Sequence, residues 1–143
     1  VSETEKPLSI DAGRLKHLEM LQQVIARMAN NSFLVKGWSI TLISALLAFA
    51  TKDKMAAMAW IAFLPLIAFW LLDAFFLHQE RLFRALYTKN CQPPLDILSD
   101  LSFDTRSVHD QAASWFKTIF SKSLLIFHGL LAFMIVAIIV FVH

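Results

Sequence analysis

Three residues with titratable side chains lie inside otherwise apolar runs of this chain: Lys36, Asp73 and His128. An unpaired carboxylate among apolar side chains is costly, so Asp73 has to face protein or water. Counted from the more basic side of the chain, Lys36 is about three residues into its run, Asp73 about five and His128 about six. At 1.5 Å per residue the three share a level to within roughly 5 Å. The spacing therefore permits a Lys36–Asp73 pair near His128. Two chemistries fit such a cluster. It can line an ion path or switch with protonation of His128, a side chain suited to titrate near neutral pH. Alternatively it is a structural ion pair, or a snorkelling Lys36, that fixes how the helices pack. Ser39, Thr41 and Ser44 add hydroxyls to the first run, and Ser44 with Ala48 has small-xxx-small spacing. Residues of this kind serve close helix packing or line a pore.

Other constellations are weaker. There is no phosphate-binding glycine loop, zinc-ligand spacing, nucleophile elbow or His-Glu-x-x-His helix, so no enzyme, cofactor or metal site is predicted. Arg106 and His109, flanked by Asp104 and Asp110, stand with two residues between them, as do Arg14 and His17. Ribonucleases of the higher eukaryotes and prokaryotes nucleotide-binding superfamily separate this pair by four to six, so the shorter gap reads as a solvated helix face. Basic residues alternate with acids, and no dense basic patch points to nucleic acid.

The elements that must position these residues follow from composition. Of 143 residues 57% are hydrophobic, 17% are charged and three are glycine. Soluble domains carry about a quarter charged residues. The apolar residues gather in three runs, Phe33–Ala50, Ala56–His78 and Ser123–Val142, each approaching the roughly 20 residues that cross a hydrocarbon core. The predicted fold is all-α: an integral membrane protein with three transmembrane helices and a small helical cytosolic layer. The first run opens only at Phe33, after a mostly polar stretch unlike a secretory signal. Cys91 is the single cysteine, so no internal disulfide can form, which fits a reducing compartment. Of the thirteen lysines and arginines, only Lys52 and Lys54 fall between the first two runs. Positive residues stay inside on insertion, which puts the N-terminus and residues 79–121 in the cytoplasm.

Four segments result. Residues 1–32 hold a loose tail to residue 10, then an amphipathic helix from Asp11 with Leu15, Leu18, Leu21, Val24, Ile25 and Met28 on one face. That helix lacks the dense basic face of a lipid binder, so it is expected to pack on a neighbouring protein helix. Asn30, Asn31 and Ser32 either cap a new helix or form a joint in a continuous one. Residues 33–78 form a transmembrane hairpin with its connection at Thr51–Met55. Pro65 kinks the second arm, as a tolerated packing bend or a hinge. Residues 79–121 continue that arm to about Asn90, giving a helix roughly 50 Å long of which roughly 20 Å projects. Pro93 and Pro94 stop it, and a second helix from about Asp104 carries Val108, Ala112, Trp115, Phe116 and Ile119 on one side. Residues 122–143 are the third span. Trp38, Trp60 and Trp70 read as interfacial anchors.

The stretches Arg27 to Trp38 (RMANNSFLVKGW) and Leu71 to Tyr87 (LLDAFFLHQERLFRALY) resemble a group of small, multi-span bacterial membrane proteins. The likeness covers the first two spans and the start of the following segment. The general layout is similar to membrane accessory proteins of RNA-targeting CRISPR systems and to other small antiphage membrane proteins, some of which oligomerise and perturb the inner membrane. The resemblance implies a bacterial inner membrane. With the intramembrane polar cluster and long projecting helix, it leads to the expectation of a homo-oligomer that forms or gates a permeation path as a stress or antiphage-defence effector. The alternative is a non-conducting scaffold that recruits a cytosolic protein partner. Membrane lipid and further copies of the chain are the other expected partners.

Overall fold

A computed structural model of the protein describes residues 6–52, 56–91, 102–110 and 114–142. Among them the chain is all helical, with α1 (Lys6–Lys52), α2 (Ala56–Ile61), α3 (Phe63–Cys91), a 3-10 helix (Thr105–Val108), α4 (Trp115–Ile119) and α5 (Lys122–Val142). Three stretches are long and apolar enough to cross a membrane: Ala12–Lys52, Ala57–Cys91 and Lys122–Val142. The expected turn at Thr51–Met55 and the Pro93-Pro94 stop lie outside the described residues wholly or in part.

α1 is one uninterrupted helix of 47 residues, about 70 Å long and more than twice a hydrocarbon thickness. It begins at Lys6, so the expected loose tail to residue 10 is helical in its second half. Pro7 sits in the first turn, where a missing N–H leaves no hydrogen bond unmade. Of the two readings of Asn30–Ser32, the continuous helix is the one adopted. Ser32 does not cap; its hydroxyl is drawn across to α3.

Pro65 acts one turn upstream of itself. It offers no N–H to the carbonyl of Ile61, and its ring crowds that turn. The helix answers with a break at Ala62, whose N–H bonds the carbonyl of Ala59 at 3.2 Å, and regular bonding resumes with Leu66 N–H to Ala62 O at 3.3 Å. The second arm is therefore α2 plus α3 rather than one helix.

The apolar core has two parts. Within the candidate spans Ile43, Leu47 and Ala50 of α1, Ala59 of α2, Ala62, Leu66 of α3, and Leu131 and Ile135 of α5 are buried together. The alanines let the helices approach closely. Outward stand Leu64, Ile67, Ile126, Phe133, Val140 and Phe141, all strongly exposed, a surface suited to hydrocarbon. The second part joins the projecting halves of α1 and α3 into a stalk: Leu21, Leu86 and Val108 are fully buried, with Leu18, Phe83, Ala85 and Tyr87 around them. Leu18 and Leu21 of the amphipathic face thus find their partner helix within the chain, whereas Leu15 of that face is 61% exposed. Gln22 Nε2 donates to Tyr87 Oη at 3.0 Å, and the Arg14 guanidinium donates to the carbonyl of Asn90, at the end of α3 where helix carbonyls lack partners.

The single helix expected from Asp104 is replaced by two short pieces. Asp104 Oδ1 accepts the Arg106 N–H at 2.9 Å and so caps the 3-10 helix, while Ser102 Oγ accepts the Asp104 N–H at 3.0 Å. Such local side-chain bonds compete with helix continuation. Val108 enters the stalk core, Phe116 is 69% exposed, and Ala112 lies outside the described residues. The expected common apolar side is not formed.

Because Leu86 is fully buried where the stalk helices meet, Leu86→Ala should destabilise the stalk by about 2–4 kcal/mol. Hydrogen exchange should show faster opening at residues 82–90 with protection within α5 unchanged.

Candidate functional site: a polar clamp joining three helices

Asp73 is on the face of α3 that packs against both α1 and α5, next to the fully buried Ala74. Its side chain is 0% exposed. Three hydrogen bonds and a further ion-pair contact fill the carboxylate. From α1, Lys36 Nζ lies 2.8 Å from Oδ1 and 2.6 Å from Oδ2, and Ser32 Oγ donates to Oδ1. From α5, His128 Nε2 lies 3.2 Å from Oδ2. Ser32 and Lys36 are one helical turn apart, so both project from the same strip of α1. Lys36 Nζ also donates to Ser32 Oγ at 2.9 Å, and the hydroxyl relays that bond to Asp73. One positive and one negative charge thus form a nearly neutral unit that an apolar bundle tolerates.

The third helix is held by stacking as well. His128 is 0% exposed, and its ring lies parallel to that of Trp70, centroids 5.7 Å apart and planes 7° apart. Trp70 precedes Asp73 by nearly one turn of α3, so one helix face grips both the edge and the flat of the imidazole. Trp70 Nε1 donates to the carbonyl of Ile119 at 3.1 Å, at the end of α4. With Nε2–H directed at the carboxylate, the other ring nitrogen, Nδ1, is buried and has no hydrogen-bond partner. Phe127, the neighbour of His128, places its ring 5.9 Å from Lys36 Nζ, near the outer limit for a cation–π contact.

The structure brings Lys36, Asp73 and His128 into one site. Ser39, Thr41 and Ser44 stay apart from it. Ser39 is buried and bonds the carbonyl of Val35 at 2.8 Å, and exposed Thr41 bonds the carbonyl of Gly37 at 3.0 Å, so both satisfy their hydroxyls within α1. Ser44 is exposed beside a shallow apolar groove of about 170 Å³ between α1 and α5, lined also by Ile40, Leu47, Phe127 and Met134. Pro65 lies two turns from Asp73, at the α2–α3 break.

Two residues of the clamp escaped sequence reasoning. Ser32 was weighed only as a cap or joint, yet its position four before Lys36 is the signal that could have found it. Trp70 was expected as an interfacial anchor. Its ring stacks on His128 and its Nε1 bonds α4, while Trp38 and Trp60 are 65% and 62% exposed. Of the two Arg/His pairs, Arg106 and His109 are exposed. His17 departs from the solvated-face reading: it is 6% exposed, with Nε2 3.2 Å from Asn90 Nδ2 and its ring 4.9 Å from that of Phe103. Among the described residues no three His, Cys, Asp or Glu side chains group closely enough to hold a metal ion. Comparison with known proteins finds no family model, curated protein or solved structure that matches this chain.

The clamp predicts an asymmetry between breaking and replacing it. Asp73→Ala leaves a partly buried Lys36 without its counter-charge and should cost about 3 kcal/mol, whereas Lys36→Met with Asp73→Leu should recover most of that loss. Unfolding of the two variants and the wild type in detergent, run in parallel, measures the difference.

Proposed function

We propose that this chain is a subunit of a homo-oligomeric bacterial inner-membrane protein that gates a permeation path, with the stalk as its receiving end and the Asp73 clamp as the latch of the resting arrangement. The supporting observation is where the clamp sits. It ties α1, α3 and α5 together at the level where α1 and α3 leave the apolar layer for the stalk. Because α1 runs unbroken through this level, a displacement of the stalk reaches Lys36 along one stiff helix. A shared carboxylate with donors from separate helices suits a latch, because losing one donor changes the contacts of the whole bundle.

The three helices fill the space between them with Ile43, Leu47, Leu66, Leu131 and Ile135, so a path would run between protomers. The exposed Gly37, Thr41, Ser44 and Ala48 give α1 the outward face of smallest side chains, the face best fitted to another copy. The lysine and arginine asymmetry supports a cytoplasmic stalk. The resemblance to antiphage membrane proteins makes stress or phage defence the setting in which a cytosolic signal would release the latch. No reaction is assigned to the chain.

One observation favours the second reading, a non-conducting scaffold for a cytosolic partner: Asp73 and His128 are both 0% exposed, so the polar cluster faces no path in this arrangement. Ion efflux from liposomes holding the full chain separates the two. Under gating, Asp73→Asn keeps the assembly size of the wild type and leaks more, by about 30-fold for a lost pair contributing about 2 kcal/mol to the closed state. Background efflux from both proteins at unchanged assembly size rejects gating and leaves the scaffold.

A further inference from the structure

Residues 114–123 (SWFKTIFSKS) connect the stalk region to α5 and contain two lysines and no acid. Their central helix, α4, has two unlike sides. The inner side is tied to α3: Thr118 is 0% exposed and its Oγ1 accepts from Arg81 Nη1 at 3.2 Å, and the Ile119 carbonyl accepts from Trp70. The outer side carries Phe116, followed by Phe120 at the C-cap just beyond the helix; they are 69% and 64% exposed. Four residues apart, they project together. Lys117 of α4 and Lys122, the first residue of α5, are exposed, and neither pairs with a carboxylate among the described residues.

We infer that this outer side of α4 is a docking surface for anionic phospholipid headgroups of the stalk-side leaflet. The position supports it first. The two ties hold α4 alongside residues 70–81 of α3, the level at which that helix leaves its apolar run. One residue beyond Ser121 the chain enters α5, whose Leu125 and Ile126 are 41% and 73% exposed. The phenylalanines therefore form the rim of an apolar exterior that continues down the span. Chemistry supports it second. Aromatic side chains at a hydrocarbon edge with lysines next to them match the headgroup layer, where the rings meet the acyl boundary and the ammonium groups meet phosphate. Having only positive charge, the segment selects anionic over neutral lipid. A helix of five residues would not bind as a free peptide; its bonds to Arg81 and Trp70 keep it in place before any lipid arrives. The surface exists whether or not the assembly conducts.

The test uses the full chain with Cys91→Ser, which removes the exposed native thiol, and Phe120→Cys carrying a nitroxide. In vesicles of phosphatidylcholine mixed with phosphatidylglycerol, the nitroxide should be reached by oxygen and shielded from a water-soluble nickel complex. A nitroxide open to the nickel complex would place α4 in water, and one closed to both oxygen and the nickel complex would place it against protein; either result would overturn the inference. Native mass spectrometry of the unlabelled chain then compares retained phosphatidylglycerol with phosphatidylcholine. Each lysine should contribute about fivefold to that preference, so Lys117→Gln with Lys122→Gln should lower it about 25-fold. An unchanged preference in a double variant of wild-type melting temperature would also overturn it.

Discussion

An ionised carboxylate cannot lie among apolar side chains without counter-charge and donors, and this constraint at Asp73 governs how the three helices meet. Satisfying it takes Lys36 and Ser32 from α1 and His128 from α5. Each requirement fixes a geometric variable. A shift of one residue along α1 would turn its side chains by about 100° and carry both donors off the contact face. Displacing α5 along its axis would separate His128 from the carboxylate and from the Trp70 ring together. Leucine packing alone sets depth and orientation loosely, because one apolar side chain substitutes for another at little cost. The clamp therefore supplies specificity of register, and leucines and alanines supply the surrounding contact area.

On the two sides of the clamp the chain is built differently. Towards the stalk, α1 and α3 are regular and joined by Leu21, Leu86, Val108 and the Gln22–Tyr87 and Arg14–Asn90 bonds. Away from it, the second arm is broken at Ala62 by the missing N–H of Pro65. The two arms therefore differ beyond the clamp, where α1 continues unbroken while the second arm is segmented. Trp70 adds a lateral connection: the same indole contacts the imidazole of His128 and the last carbonyl of α4, so α4 and the buried charges share one side chain.

Much of this was legible in the chain itself. Three apolar runs in 143 residues leave too little polar chain to cover them in water, which settles an all-helical architecture with three helices of membrane-crossing length. Helical rise converts sequence position directly into depth, and depth alone was enough to put Lys36, Asp73 and His128 on one level. The leucine stripe of residues 15–28 likewise announced a helix needing a partner, without saying which.

What the sequence by itself determined is therefore one-dimensional: which stretches are apolar, how long they are, and at what height each polar residue stands. Only the tertiary structure decided azimuth and partnership. It turned Ser32 inward to Asp73 instead of capping a helix, laid Trp70 on His128, buried His17 against Asn90 and Phe103, and set residues 105–108 and 115–119 as separate short helices on different neighbours. The physical reason is that a serine, tryptophan or histidine satisfies its polar atom locally or across a contact at similar cost. The choice depends on how helices cross, which is set by many weak contacts between residues far apart in the chain.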